Sequence, residues 1–151
     1  MTHLDDYLET VDFTPLQLQR ERVLWRDNGV CQLRNLGLAD HKCRKGDEVQ
    51  CAHIPDKQKI KLLRRNLAEE QRNGRTLSEA QRRLVTATED EVVGDPRGAV
   101  TMCSVGHSNF DLLGQRGRRD LLPDHVLEFV AEYGLEGLLD RLYGEELEDA
   151  A

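Results

Sequence analysis

Two short segments of this chain concentrate groups that can bind a metal or move a proton. Cys51-Ala52-His53-Ile54-Pro55 and Cys103-Ser104-Val105-Gly106-His107-Ser108-Asn109-Phe110-Asp111 each place one histidine near one cysteine. Cys31 and Cys43 stand upstream, and the 151 residues include no other cysteine. Thiolate and imidazole are the usual donors for tetrahedral zinc. Imidazole also titrates near neutrality, which suits a general base. The same residues can therefore staple a fold, catalyse a reaction, or do both.

The elements that must position them are legible in outline. Thr14-Pro15 starts a helix, with Thr as cap and Pro in the first turn, running to Asp27 and ended by Asn28-Gly29. Leu16, Val23, Leu24 and Trp25 are its packing candidates. Residues 30–47 lack periodicity and suit a knuckle around Cys31 and Cys43. Residues 48–54 alternate, so Val49, Cys51 and His53 share one side of a strand and Gln50 and Ala52 the other. Ala99–Met102 is a short apolar run suited to a second strand, and 104–113 reads as a loop leading into a short helix.

Between the strands, 57–90 reads as an inserted helical hairpin. Its first helix is Lys57–Arg72, with Ile60, Leu62, Leu63 and Leu67 as the apolar set, and Thr76-Leu77-Ser78-Glu79 matches a capping box opening the second. This pair is either a solvated cover for the body or a DNA-facing surface through Lys57, Lys59, Lys61, Arg64, Arg65, Arg82 and Arg83. A further basic patch follows at Arg116, Arg118 and Arg119. Pro123 opens a helical extension over about 123–144, interrupted at Gly134.

Charge is unevenly spread. The chain carries −7 in total, of which residues 1–12 hold −4 and residues 124–151 hold −8, leaving +5 for the body between them. A basic body can meet phosphate while acidic ends limit non-specific adhesion. With 38% apolar residues and no apolar run near the roughly 20 residues that a membrane helix requires, we expect no membrane partner. The acidic start MTHLDDYLETVD is unlike a secretory or mitochondrial leader, so we expect a cytoplasmic protein with reduced or metal-bound cysteines. Aromatic residues make up only 5%, so the core must rest on Leu and Val, to which a metal staple would add.

The His-bearing strand end Ala52-His53-Ile54-Pro55, then an insertion, an apolar run and Cys103-x3-His107-x2-Phe110-Asp111, resembles the HNH nuclease family, most of all its subgroup with an Ala-His-Ile-x-Pro motif. Arg26-Asp27-Asn28-Gly29-Val30-Cys31-Gln32-Leu33-Arg34 is similar to the leading segment of many phage and prophage HNH proteins. The resemblance covers about residues 23–115. It implies an α+β chain forming a single domain over 1–151: a small ββα-metal core with helical N- and C-terminal flanks and the inserted hairpin. It also implies a metal-dependent DNA endonuclease. In that family His53 matches the general base and His107 a histidine that binds a divalent cation, Mg²⁺ or Mn²⁺. Asp111 would add an oxygen ligand or orient His107.

Many relatives also hold structural zinc with two Cys-x2-Cys pairs. Here Cys31, Cys43 and Cys103 would supply three ligands, and the fourth would be His41, Cys51 or His107. Three positions depart from the family pattern: Ala52 precedes the base, Gly98 stands where the central asparagine is expected, and Gly106 stands where a second cysteine would pair with Cys103. The departures leave two alternatives to a nuclease. One is a catalytically degenerate DNA-binding or regulatory protein. The other is a zinc-stapled interaction module that docks a protein partner through its acidic C-terminal helix.

Overall fold

Thr14 opens the first helix through a reciprocal capping box. Its Oγ1 accepts the Gln17 N–H at 3.2 Å, and Gln17 Oε1 accepts the Thr14 N–H at 3.0 Å. In this computed structural model, which describes residues 13–43, 48–112 and 117–150, that helix is α1, Pro15–Arg26. Then follow β1 (Val49–His53), α2 (Lys57–Arg72), α3 (Glu79–Thr86), α4 (Glu89–Val93) and a 3₁₀ turn at Pro96–Gly98. The chain continues through β2 (Ala99–Cys103), α5 (Ser104–Leu112), a second 3₁₀ turn at Arg119–Leu121, α6 (Asp124–Tyr133) and α7 (Glu136–Ala150). β1 and β2 form a two-stranded antiparallel sheet whose rungs run from Ser104 N–H to Glu48 O and from Ile54 N–H to Gly98 O, both 2.8 Å. The α+β class expected from the sequence is the class observed.

The described residues gather into two compact units, one of those up to Ala52 together with those of Ala99–Leu122, the other of His53–Gly98 together with those from Pro123 onward. In the first, α1 and α5 both pack on β2, whose five residues are all buried. The end of α1 is clipped to that strand by an ion pair. Asp27 accepts from Arg26 Nε at 3.0 Å and from the Thr101 N–H at 2.9 Å, while Arg26 Nη2 donates to Ala99 O at 2.6 Å. Val23, Leu33, Leu36, Val100, Met102 and Phe110 make the core there. Of the α1 packing candidates, Val23 is fully buried, but Trp25 is 57% exposed, because it lies on the opposite face of the helix.

The second unit is helical. α2 packs on α3 and α4, and α6 packs on α3, α7 and the first 3₁₀ turn. Ile60, Leu67, Leu84, Val92, Phe129 and Leu139 fill it. Leu62 points to solvent, one residue out of phase with the buried Ile60–Leu67 stripe. The capping box of α3 uses Ser78 with Gln81, two residues later than the Thr76 register read from sequence. The inserted segment thus forms two helices and a third short one, α4. The segment after Cys103 is helical from Ser104 onward instead of beginning as a loop.

Candidate metal centre

Four side chains of the first unit converge. Cys31 lies just beyond the Asn28–Gly29 turn, and Cys103 closes β2. His41 and Cys43 arrive from a looped segment held by successive turns, Leu36 N–H to Gln32 O, Gly37 N–H to Arg34 O and His41 N–H to Leu38 O. His41 Nε2 lies 3.7 Å from Cys31 Sγ, 3.6 Å from Cys43 Sγ and 3.4 Å from Cys103 Sγ. All four donor atoms fall within 4.8 Å of one another. A tetrahedral zinc with Zn–N of about 2.05 Å and Zn–S of about 2.3 Å requires N···S edges of about 3.6 Å. The observed edges bracket that value. Cys31, His41, Cys43 and Cys103 are therefore placed to hold one metal ion, and His41 is the fourth member of the group. Cys51 and His107 are not part of it.

Gly106 is the residue that lets the four meet. A side-chain carbon at that position would lie 2.2 Å from Leu33 Cδ1, 3.0 Å from Cys103 Sγ and 3.1 Å from His41 Cε1. Its N–H donates to Cys103 Sγ at 3.2 Å, which stabilises negative charge on that sulfur. Gly106 thus contributes an amide donor to the group, and His41 supplies its fourth potential ligand. Arg34 Nε donates to His41 O at 2.7 Å and anchors the loop that delivers the imidazole.

The electrostatics of the group favour a cation at its centre. Withdrawal from water, then the Cys103 and Cys31 thiols, push the Cys43 thiol up to about 12. Because Cys43 is an exposed residue, the neighbouring sulfurs are the cause on which the chemistry turns. A thiol raised in this way gives up its proton to a cation that binds the sulfur, because a metal requires the thiolate. Cys103 is buried, Cys31 half-buried and Cys43 exposed, and none of the four cysteines is in a disulfide.

The two histidines expected at a reaction centre lie in different units. His53, at the end of β1, donates Nε2–H to Val93 O at 3.2 Å, since a carbonyl oxygen only accepts; in the neutral ring the lone pair is then on Nδ1. His107, on α5, donates from Nδ1 to Gln50 Oε1 at 2.9 Å, which leaves its lone pair on Nε2. Gln50, which fixes the His107 tautomer, gives no local signal in the sequence, because it lies on a strand 57 residues away. The Asp111 side chain and all of Arg116 lie outside the described residues. Among the described residues, the Cys₃His group alone brings three or more potential ligands together. Gly98 has no room for asparagine, because a Cβ there would lie 2.6 Å from Phe129 Cε2.

The basic residues divide sharply by what they touch. Arg64 donates Nε and Nη2 to Leu84 O, Val85 O and Ala87 O at 2.6–3.2 Å, capping the C-terminus of α3. Arg65 pairs with Glu89 at 3.1 Å, Arg83 with Glu79 at 3.0 Å and Arg118 with Asp120. Among the described residues, no side-chain hydrogen bond or ion pair engages Lys57, Lys59 or Lys61, whereas Arg119 is engaged. None of the helices is long and apolar enough to cross a membrane, among the described residues. No protein-family model, no curated protein and no solved structure matches this chain.

Proposed function

We propose that this protein is a metal-dependent DNA endonuclease of the HNH type, with zinc as the structural ion of its Cys₃His group. The observation that carries the reading is the order of elements around the two histidines. His53 closes β1, β2 pairs with β1, and His107 rides the helix that directly follows β2. This is the strand–strand–helix order that the resembled family uses to present a base and a metal-binding histidine. Zinc follows from the donors: three soft sulfurs and one imidazole at tetrahedral spacing suit zinc and not magnesium.

His53 supplies the proton acceptor. Its imidazole would take a proton from the attacking water, while its contact with Val93 O orients the ring at the end of β1. His107 Nε2, with Asp111, would hold the divalent Mg²⁺ or Mn²⁺, whose chemistry is to neutralise charge on the phosphate and the leaving oxygen. Magnesium takes oxygen ligands and water, so beyond the one nitrogen of His107 most of its shell would be water and phosphate oxygen. DNA would be held by the cations that no carboxylate neutralises.

A second reading is favoured by a specific observation. The position of the family asparagine is closed by Phe129, and Ala52 is buried without a donor. On that reading the protein binds DNA and does not cut it. Incubating purified protein with supercoiled plasmid and Mg²⁺ or Mn²⁺ decides between them. Nicking that disappears in His53→Ala supports the nuclease. Cleavage that survives His53→Ala removes His53 as the base, and salt-sensitive binding without nicking under any metal supports the second reading.

A further inference from the structure

The Cys₃His group does not sit under a closed surface. A cavity of about 470 Å³ opens beside it, lined by Val30, Cys31, Arg34, His41, Lys42 and Cys43. Among the described residues, its lining holds two cations and no carboxylate. That separates it from the cavity beside α3 and α6, where Arg82 and Arg83 face Glu79, Glu91 and Glu132. A surface that meets phosphate needs cations not already paired within the protein, and several of the described arginines fail this condition. Arg26, Arg65, Arg83, Arg97 and Arg118 are all joined to Asp or Glu.

Arg34 and Lys42 meet the condition. Arg34 spends only Nε, on His41 O, so one bond fixes the plane of its guanidinium while both Nη groups remain as a fork. Lys42 is exposed and sits between the two ligands His41 and Cys43. Zinc with three thiolates and a neutral imidazole carries a net charge of −1, so the two cations more than offset the metal group. The site as a whole is then positive, and the Nη groups of Arg34 and the ammonium of Lys42 both remain available to phosphate.

We infer that the cavity beside Cys31, His41 and Cys43 is a phosphate-contact surface for nucleic acid, with Arg34 and Lys42 as its cations and the metal-bound loop as its scaffold. The inference rests on the reading of DNA as the substrate. It assigns the metal group a second role, since ligating His41 and Cys43 fixes the loop on which both cations ride and so reduces the entropy cost of ordering them on DNA.

The test is duplex binding by fluorescence anisotropy across a salt series, without added magnesium or manganese, using zinc-loaded full-length chain. Each phosphate contact contributes about 0.9 to the slope of log K against log salt. The double variant Arg34→Gln/Lys42→Gln should lower that slope by about 1.8 while retaining its zinc, measured by elemental analysis. Lys42→Gln alone leaves the Arg34–His41 bond intact and should lower it by about 0.9, so loss of zinc in the double variant would not shield the inference. Arg83→Gln, whose cation is paired with Glu79, should leave the slope unchanged. An unchanged slope in Lys42→Gln, an equal fall in Arg83→Gln, or wild-type preference for polyglutamate over duplex would each overturn the assignment. Absence of duplex binding by the wild type would defeat the DNA reading itself, whereas wild-type binding with an unaltered slope in the variants defeats this inference alone.

Discussion

Gly106→Ala tests the metal centre at the point where two magnitudes oppose each other. Gly106 lies in the first turn of α5, and helix propensity alone favours alanine by about 0.8–1.0 kcal/mol. Sterics predict the reverse. The new Cβ would lie 2.2 Å from Leu33 Cδ1, against an ordinary carbon contact of about 3.5–4.0 Å, and Leu33 is 1% exposed, so it cannot swing into solvent. Overpacking of this kind costs about 1–3 kcal/mol and outweighs the propensity gain. The same carbon crowds Cys103 Sγ at 3.0 Å and His41 Cε1 at 3.1 Å, so relief by movement displaces two ligands. Because ligation and folding are coupled, zinc affinity should fall by up to about 30-fold, the net of about 2 kcal/mol expressed as an equilibrium. Competition against a chromophoric zinc chelator reads this directly. Leu33→Val deletes the δ carbons, so Gly106→Ala/Leu33→Val should bind zinc more tightly than the two single effects added together predict. Wild-type affinity in Gly106→Ala, or strict additivity in the double variant, would refute the close-approach argument.

Three further outcomes follow from the same coordinates. Purified protein should contain one zinc per chain, His41→Ala should lose it, and chelation should unfold the first unit, because structural zinc contributes about 10–16 kcal/mol against a typical domain stability of about 5–15 kcal/mol; a circular dichroism melt unchanged by chelation would contradict this. Arg64→Ala should destabilise the chain by about 2–3 kcal/mol in urea denaturation, since it strips the charged donors from three carbonyls at the end of α3; an unchanged midpoint would show those bonds to be dispensable. In metal-free protein the Cys43 thiol is raised from 9.0 to about 12, so the fold favours its protonated form. That contribution is complete below pH 9.0 and is lost as pH rises through about 12, and zinc reverses the sign by requiring the thiolate. The ultraviolet thiolate absorbance that Cys43→Ser removes from the apo titration should accordingly lie at its alkaline end, and its loss from the early part of the titration would contradict the raised Cys43 thiol.

The helices and strands were legible because their signals are local. Thr14 with Gln17, the Asn28–Gly29 turn, the alternation before Pro55 and the apolar run before Cys103 each act within a few residues. Misplaced details were local competitions decided elsewhere. The Ser78–Gln81 box prevailed over the Thr76 register, and Trp25 was read as a packing residue because α1 presents more than one apolar stripe. The basic hairpin illustrates a different limit. Arg64 and Lys57 look alike in sequence, yet one caps a helix and the other has no such engagement, since the carbonyls that Arg64 meets lie about 20 residues on.

The sequence by itself determined which chemistry is available: four thiols, imidazoles at His41, His53 and His107, and a basic body between acidic ends. Tertiary structure decided which of these groups meet. His41 and Cys103 stand 62 residues apart in the chain and 3.4 Å apart in space, a relation that no periodicity encodes. The sequence left the fourth ligand open among His41, Cys51 and His107, and packing chose, because a metal group requires donors to converge in three dimensions. Gly106 and Gly98 were first legible only as missing ligands. The structure gives each a physical reason: one makes room for Leu33 beside the metal group, and the other for Phe129 in the second core.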